Sequence, residues 1–400
     1  MPRRFTDAAD LLGNLLDRHE AGAAAPLAYP DYAAFSSVNA ADEFIRDLRT
    51  AADAGAVRLT HGKGRNSEHV AHIKLESAQA LYRHLGRAPS GEVAEQARRR
   101  IVDGLDLHDH LIKASAEIAS VWARGKSWNG FTSADAERVR SVLVLTQAIL
   151  DGKHVGLDYR TFSRRFTGDS KILERLEGAV VRLVAGIREV PPGAKPRETL
   201  RTLGLEKFAP PLLISGAVSF DGVDLGAGPS PYLGIPPREA GNIGFNRKPS
   251  YFLTIENYAS FNRHITEADP ERSGTTVYVG GYPSLGTQAA LRVLTAKLGS
   301  DTPVFHWSDI DADGTWIFRT IERAIGRTVQ PHLMSPEIAE KFGKPADVRQ
   351  ISGCPPESGI AILAAYLARE GAKTLEQEEL DPARPIAHPE QRTPPQDDHA

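Results

Sequence analysis

The sequence predicts a multi-domain protein in which an α+β region and a helical region precede a parallel α/β domain. Three observations carry this. A chain of 400 residues is long enough for two or three domains. Its second half alternates near-continuous apolar runs, YFLTIE (251–256), TTVYVGG (275–281) and PVFHWS (303–308), with helical patterns. Strands buried on both faces and separated by helices are the signature of a parallel sheet. Its first hundred residues instead read helix, strand, basic loop, strand.

The elements follow in order. ADLLGNLLDRHE, within 7–20, is a helical pattern. Phe44, Ile45, Leu48 and Ala52 share a face of a second helix, which Gly55 ends. A strand from Val57, a loop holding Gly62, Lys63, Gly64 and Arg65, and an alternating strand over Val70–Leu75 complete the outline of a winged helix over 1–100. Lys63 and Arg65 are then candidates for phosphate contact, and an ordinary exposed hairpin is the alternative. The segment 101–190 reads as helical, with Ser133 as N-cap of a helix over 133–150. DYRTFSRRFTGDSK (158–171) sets Arg160, Arg164, Arg165 and Lys171 near three aromatics, the pattern of a second DNA-facing helical element or of a solvated helix face. The segment 191–250 is a connector whose AVSFDGVDLG predicts a hairpin turning at Asp221-Gly222. The α/β pattern then fills 251–370, with helices near 286–298 and 314–326 and a fourth strand over 328–334.

Composition narrows the class of protein. The single cysteine, Cys354, allows no internal disulfide and no cysteine zinc cluster, which fits a reducing cytoplasm. No apolar run of 18 or more residues is present, so no membrane span is expected. Net charge is −3, yet the last 26 residues hold seven acids against two arginines, which leaves +2 on the rest. Any contact with nucleic acid therefore comes from local patches. The Pro- and acid-rich end, 371–400, reads as a disordered tail.

The chemistry concentrates in HWSDIDADG (306–314), where Asp309, Asp311 and Asp313 alternate at the end of a predicted strand. Two like charges about 4 Å apart repel by roughly 4 kcal/mol at an effective dielectric near 20, so a bound cation is expected to offset them. Against a calcium loop stand its twelfth position, Thr320, where a bidentate Glu is needed, and the strand in front. DADGT (311–315) matches the DxDGT string of haloacid-dehalogenase-type phosphotransferases, which would make Asp311 a nucleophile, but no second aspartate cluster follows in a folded context. The third reading joins Glu256, at the end of one strand, to Asp309 and Asp311, at the end of another, around the Gly280–Gly281 turn. Carboxylates at strand ends can converge, and oxygen ligands suit Mg²⁺ or Mn²⁺. The bland alternative is that these acids cap loops and helices.

This order of motifs resembles the Toprim domain of topoisomerases, primases and some nucleases. TIENYASF, YVGGYPS, HWSDIDADGTWIF and PHLM are together similar to the C-terminal domain of the JetD (MksG) family, nuclease subunits of SMC-type plasmid-defence systems. DYRTFSRRFTGDSKILE is more loosely similar to that family's winged-helix segment. The resemblance implies a metal-dependent endonuclease that cuts double-stranded DNA hydrolytically as a homodimer, alongside SMC–kleisin subunits. It implies that Glu256 and Asp309 hold a first Mg²⁺ or Mn²⁺ ion and that Asp311 holds or bridges a second. Asp313 is a further candidate ligand or a helix cap, and Asn257, Gly281 and Ser284 are candidate positioning residues. Type IIB topoisomerases, relatives of that family, attack DNA with a tyrosine. Here Tyr159 lies beside the basic segment, as a core aromatic or as a transesterase nucleophile. A DNA-docking subunit without catalysis and a DxDGT-type phosphotransferase using Asp311 are the other readings that stay open.

Overall fold

The computed structural model describes residues 3–63, 69–206, 210–225, 230–345 and 353–386. The chain divides into two compact units, 1–151 with 182–187, and 152–181 with 188–400.

In the first unit, β1 (Arg4–Phe5), α1 (Ala8–Glu20), β2 (Leu27–Pro30), α2 (Val38–Asp53), β3 (Val57–His61), β4 (Val70–Leu75) and α3 (Ala78–Leu85) form one layered body. Its sheet runs β1-β2-β4-β3, with β1 and β2 parallel and the other pairs antiparallel. The apolar faces of the helices close the core: Leu11, Leu15 and Leu16 from α1 and Phe44 and Leu48 from α2 bury with Val57 and Ile73 of the strands. Ser37 and Ser77 cap α2 and α3 through side-chain oxygens. The predicted helix–strand–loop–strand order is present, and Gly62 N–H donating to His69 O at 2.9 Å closes the base of the basic loop. Helices α4 (Ser90–Val102), α5 (Asp109–Ala123) and α6 (Ala136–Leu150) pack as a bundle around Ile101, Leu111, Ile118, Val139 and Leu143. A 3-10 turn, Ser133–Asp135, leads into α6, and Thr132, paired with Asp135 in a capping box, caps that turn in place of the expected Ser133. Thr132 and Asp135 satisfy each other as well as the backbone, which a lone serine could not do.

The second unit begins with α7 (Tyr159–Thr167), which Asp158 caps, and the larger part of α8 (Ile172–Ala185). After α9 (Pro196–Thr202) come β5 (Leu212–Ser215), β6 (Val218–Phe220), β7 (Val223–Asp224), β8 (Leu233–Ile235) and β9 (Ile243–Phe245). The β6–β7 hairpin turns at Asp221 and Gly222, both with positive φ, as a tight two-residue turn requires. The α/β pattern then yields β10 (Phe252–Ile255), α10 (Tyr258–Arg263), β11 (Thr275–Tyr278), α11 (Leu285–Ala296), β12 (Val304–Trp307), α12 (Ala312–Ile325) and β13 (Gln330–Pro331). Their sheet has the order β13-β12-β10-β11-β5-β8. It is parallel from β13 to β11, but β5 and β8 run antiparallel, so the sheet is mixed where the sequence predicted a parallel one. The short strand β5 arrives from the connector without a crossover helix between it and β8, and only antiparallel pairing suits such a return. The architecture is multi-domain α+β, with a mixed sheet and helical layers.

Composition placed 371–400 in an unfolded tail. The described part of it is instead built into the second unit. After α13 (Pro336–Phe342), β14 (Lys344–Pro345) and α14 (Ala361–Leu367), β15 (Lys373–Thr374) pairs with β14, and Leu375 and Gln377 are buried. Two buried anchors and the backbone bonds between Ile310 and Leu375 hold a segment whose composition is otherwise that of a disordered one. Residues 387–400 lie outside the described set.

Candidate acid site at the strand ends

Strand β10 is buried along its whole length and pairs in parallel with β11 and β12, matching Ile255 to Tyr278 and to Trp307. That register brings the residues that follow each strand to one edge of the sheet. Glu256 N–H donates to Trp307 O at 3.0 Å, and Asp309 N–H donates to the Glu256 Oε2 at 3.3 Å. Asp309 Oδ1 accepts from Gln377 N–H at 2.6 Å, and Asp311 Oδ1 accepts from Gly314 N–H at 2.7 Å. Asp311 is thus the N-cap of α12. Asp313, the candidate cap, lies in the first turn of α12 and accepts instead from Gly193 N–H at 2.7 Å and from the Tyr282 hydroxyl. The cap falls on Asp311 because its extended backbone points the carboxylate back at the free amides of the first turn.

Glycine shapes this corner. A Cβ on Gly314 would meet the Asp309 carbonyl oxygen at 2.0 Å, so only glycine lets α12 begin against the Asp309 turn. Gly280 and Gly281 both have positive φ, and Arg201 from α9 holds the turn by donating to Gly280 O at 2.8 Å and to Tyr282 O at 2.6 Å. Ser284 caps α11 and Asn257, next to Glu256 in sequence, caps α10, so two of the three predicted positioning residues serve as helix caps.

The electrostatics are one-sided. Burial, then the neighbouring Asp309, pushes the Glu256 carboxyl up to about 8, against the Asp309 amide, which lowers it. Burial also pushes Asp309 up to about 7, with Asp311, Glu376 and Glu378 adding to it and the Gln377 amide opposing it. Asp311 is raised as well, by burial and by Asp313 and Glu376, against its bond from Gly314. The leading charged neighbours of all three are carboxyls, so the donor set has the chemistry of a hard-cation site. Among the described residues, however, no group of three or more His, Cys, Asp or Glu side chains is disposed to hold a metal ion. Donor type and charge fit a divalent ion; the rotamers in this structure do not form a closed cage.

The basic candidates divide between the units. Lys63 is exposed at the mouth of the β3–β4 hairpin, and Arg65 lies outside the described residues. In the second unit, Arg160, Arg164, Arg165 and Lys171 are all exposed on α7 and the turn that follows. Tyr159, in contrast, is buried, donates its hydroxyl to Glu177 and has the Arg197 guanidinium 5.8 Å from its ring. Burial and the Glu177 carboxylate push its pKa up, which is the wrong direction for a nucleophile.

Sequence reasoning missed Gln377, Glu376 and Glu378, because they fall in the presumed tail. The available signal was Leu375, an apolar residue with nothing apolar beside it in sequence.

No helix among the described residues is long and apolar enough to cross a membrane. The family described as "Wadjet protein JetD, C-terminal" matches residues 234–383. The Wadjet protein JetD of Bacillus cereus (strain Q1) is 25% identical over 210 residues, 51% of this chain and 50% of that protein. The match thus spans about half the length of that curated relative. From the strands before Glu256 through the segment that carries Gln377, the chain matches the JetD family, at modest identity.

Proposed function

We propose that this chain is a metal-dependent DNA endonuclease, the nuclease subunit of an SMC-type defence complex, with a Toprim-like catalytic domain after an N-terminal winged-helix region. The observation that carries the reading is the gathering of Glu256, Asp309 and Asp311 beyond the carboxyl ends of adjacent parallel strands, where burial and neighbouring carboxyls raise all three. The family match supplies the link to a Wadjet protein. Glu256, Asp309 and Asp311 would hold one or two Mg²⁺ or Mn²⁺ ions, with Asp313 at the margin. Such an ion, when bound, neutralises phosphate charge and lowers the pKa of an attacking water. The chain's own residues do the rest. Asn257, Gly281 and Ser284 fix the turns that aim the acids, and Arg201 locks the diglycine turn. Arg160, Arg164, Arg165 and Lys171, and in the first unit Lys63 and Arg65, would grip the phosphate backbone of duplex DNA. Cleavage is hydrolytic in this reading, because the Tyr159 hydroxyl is committed to Glu177. The working form is a homodimer acting with SMC–kleisin subunits.

One observation favours a second reading, a DNA-docking subunit without catalysis: the acids do not close on a common point among the described residues. Supercoiled plasmid separates the two. The wild-type chain and Glu256→Ala are incubated with EDTA, Mg²⁺ or Mn²⁺, alone and with the SMC complex. Metal-dependent cutting that leaves protein-free ends and vanishes in Glu256→Ala supports the nuclease. Salt-dependent DNA binding with no cutting in any arm leaves the docking subunit.

A further inference from the structure

The segment after β15 crosses the acid site, and one residue in it touches three separate parts of that site. Gln377 is 1% exposed. Its backbone N–H donates to Asp309 Oδ1 at 2.6 Å. Its side-chain Nε2 donates to Trp307 O at 3.0 Å, at the end of β12. Its Oε1 accepts from Asn257 N–H at 2.8 Å, in the turn just past Glu256. The amide can satisfy both partners in one orientation only, since a flip would set oxygen against the Trp307 carbonyl and nitrogen against the Asn257 amide. An amide supplies one donor and one acceptor here at no charge: an ionised Glu would present a lone pair to a carbonyl, and Lys would leave the Asn257 amide unpaired. The segment is anchored on both sides of Gln377. Ile310 and Leu375 exchange backbone bonds at 2.8 and 3.1 Å, Asn257 Nδ2 donates to Glu378 Oε1 at 2.7 Å, and Arg263 pairs with Asp381 at 2.8 Å.

We propose that Gln377 is a positioning residue of the acid site, tying the Glu256 strand end to the Asp309 strand end and holding one oxygen of the Asp309 carboxylate, whose second oxygen would be the one to hold a cation. This rests on the metal-site reading above. Outer partners that orient ligands typically change metal affinity 10- to 100-fold when lost.

The test is Mn²⁺ binding by isothermal titration calorimetry on the full chain, with melting temperature in EDTA recorded in parallel. Four proteins are compared: wild type, Asp309→Asn, Gln377→Met, which keeps the volume and loses the amide, and Gln377→Asn, which keeps the amide and shortens its reach. The expected result is loss of binding in Asp309→Asn and about a 10-fold weaker affinity in both Gln377 variants, with melting in EDTA still well above the temperature of the titration. Wild-type affinity, or tighter binding, in both Gln377 variants would overturn the proposal while leaving the metal site standing through Asp309→Asn. A fall in affinity that merely follows loss of the folded state would make Gln377 structural and overturn it too. No Mn²⁺ binding by the wild type would sink the metal-site reading itself and the proposal with it.

Discussion

The two ends of strand β10 each hold buried carboxylates, and the protein treats them in opposite ways. At the amino end, Asp269 is 3% exposed and accepts from the Tyr251 hydroxyl at 2.7 Å, Gly274 N–H at 2.9 Å, and Ser273 N–H and Oγ at 2.9 and 2.8 Å. Arg384 adds a guanidinium 3.4 Å away. Burial pushes this carboxyl up, but the bonds from Gly274, Tyr251 and Ser273 outweigh it and hold the pKa below the ordinary value. At the carboxyl end, Glu256, Asp309 and Asp311 have fewer donors and other carboxyls acting on each, and all are raised. A carboxylate surrounded by donors has nothing left to offer and belongs to the scaffold. Carboxylates that are buried, like-charged and only partly bonded retain free lone pairs, which is the state of a site built for something else to complete it.

Breaking the saturated end gives the largest expected effect. Asp269→Ala strands the Tyr251 hydroxyl and the Ser273 and Gly274 amides, and the expected cost is about 3–5 kcal/mol in urea unfolding. A cost below about 1 kcal/mol would erase the contrast. The next effect lies at the open end and is functional. Asp309→Asn should reduce metal-dependent plasmid cutting at least 100-fold, on the order of 3 kcal/mol, with unfolding in EDTA unchanged or shifted toward greater stability. Equal losses of stability at both ends would show that the acids are scaffold too.

The pH dependence sharpens the same contrast with opposite signs. The Glu256 carboxyl loses its proton near 4.5 when unfolded and near 8 when folded. In that window the folded chain binds more protons, so without metal its stability falls as pH rises from about 4.5 to about 8. Asp269 acts the other way: its contribution is present above the ordinary carboxyl value and disappears as pH falls through its lowered one. Glu256→Gln should flatten the loss between pH 5 and 8 and raise the melting temperature in EDTA at the upper end by several degrees. A slope as steep as wild type would assign it to other groups. The smallest effect is on DNA. Arg164→Ala with Arg165→Ala should weaken duplex binding about 10-fold and reduce the slope of log affinity against log salt by about 2. An unchanged slope would remove α7 from the DNA interface.

Local pattern was enough for much of this. The apolar runs at β10, β11 and β12 are read directly from residues such as Phe252, Val277 and Phe305, because strands buried on both faces leave an unbroken hydrophobic record. The DxD string and its glycine are contiguous, and the hairpin at Asp221-Gly222 is dictated by two residues that tolerate positive φ. Other features had no local trace. The antiparallel β5 and β8 come from a connector whose short strands carry weak periodicity, so their direction depended on which edge of the sheet was free.

What the sequence by itself determined is therefore the strand-and-helix order of the second half, the acids at its strand ends and the absence of an apolar span. Tertiary structure alone decided which aspartate caps α12, where Asp313 finds its donors, and that Leu375 and Gln377 fold onto the site. The reason is physical. Periodicity records which face of an element is buried, but the bond from Gln377 to Asp309 joins residues 68 positions apart. A single buried amide at that separation adds almost nothing to local composition, and only the folded chain brings its partners within reach.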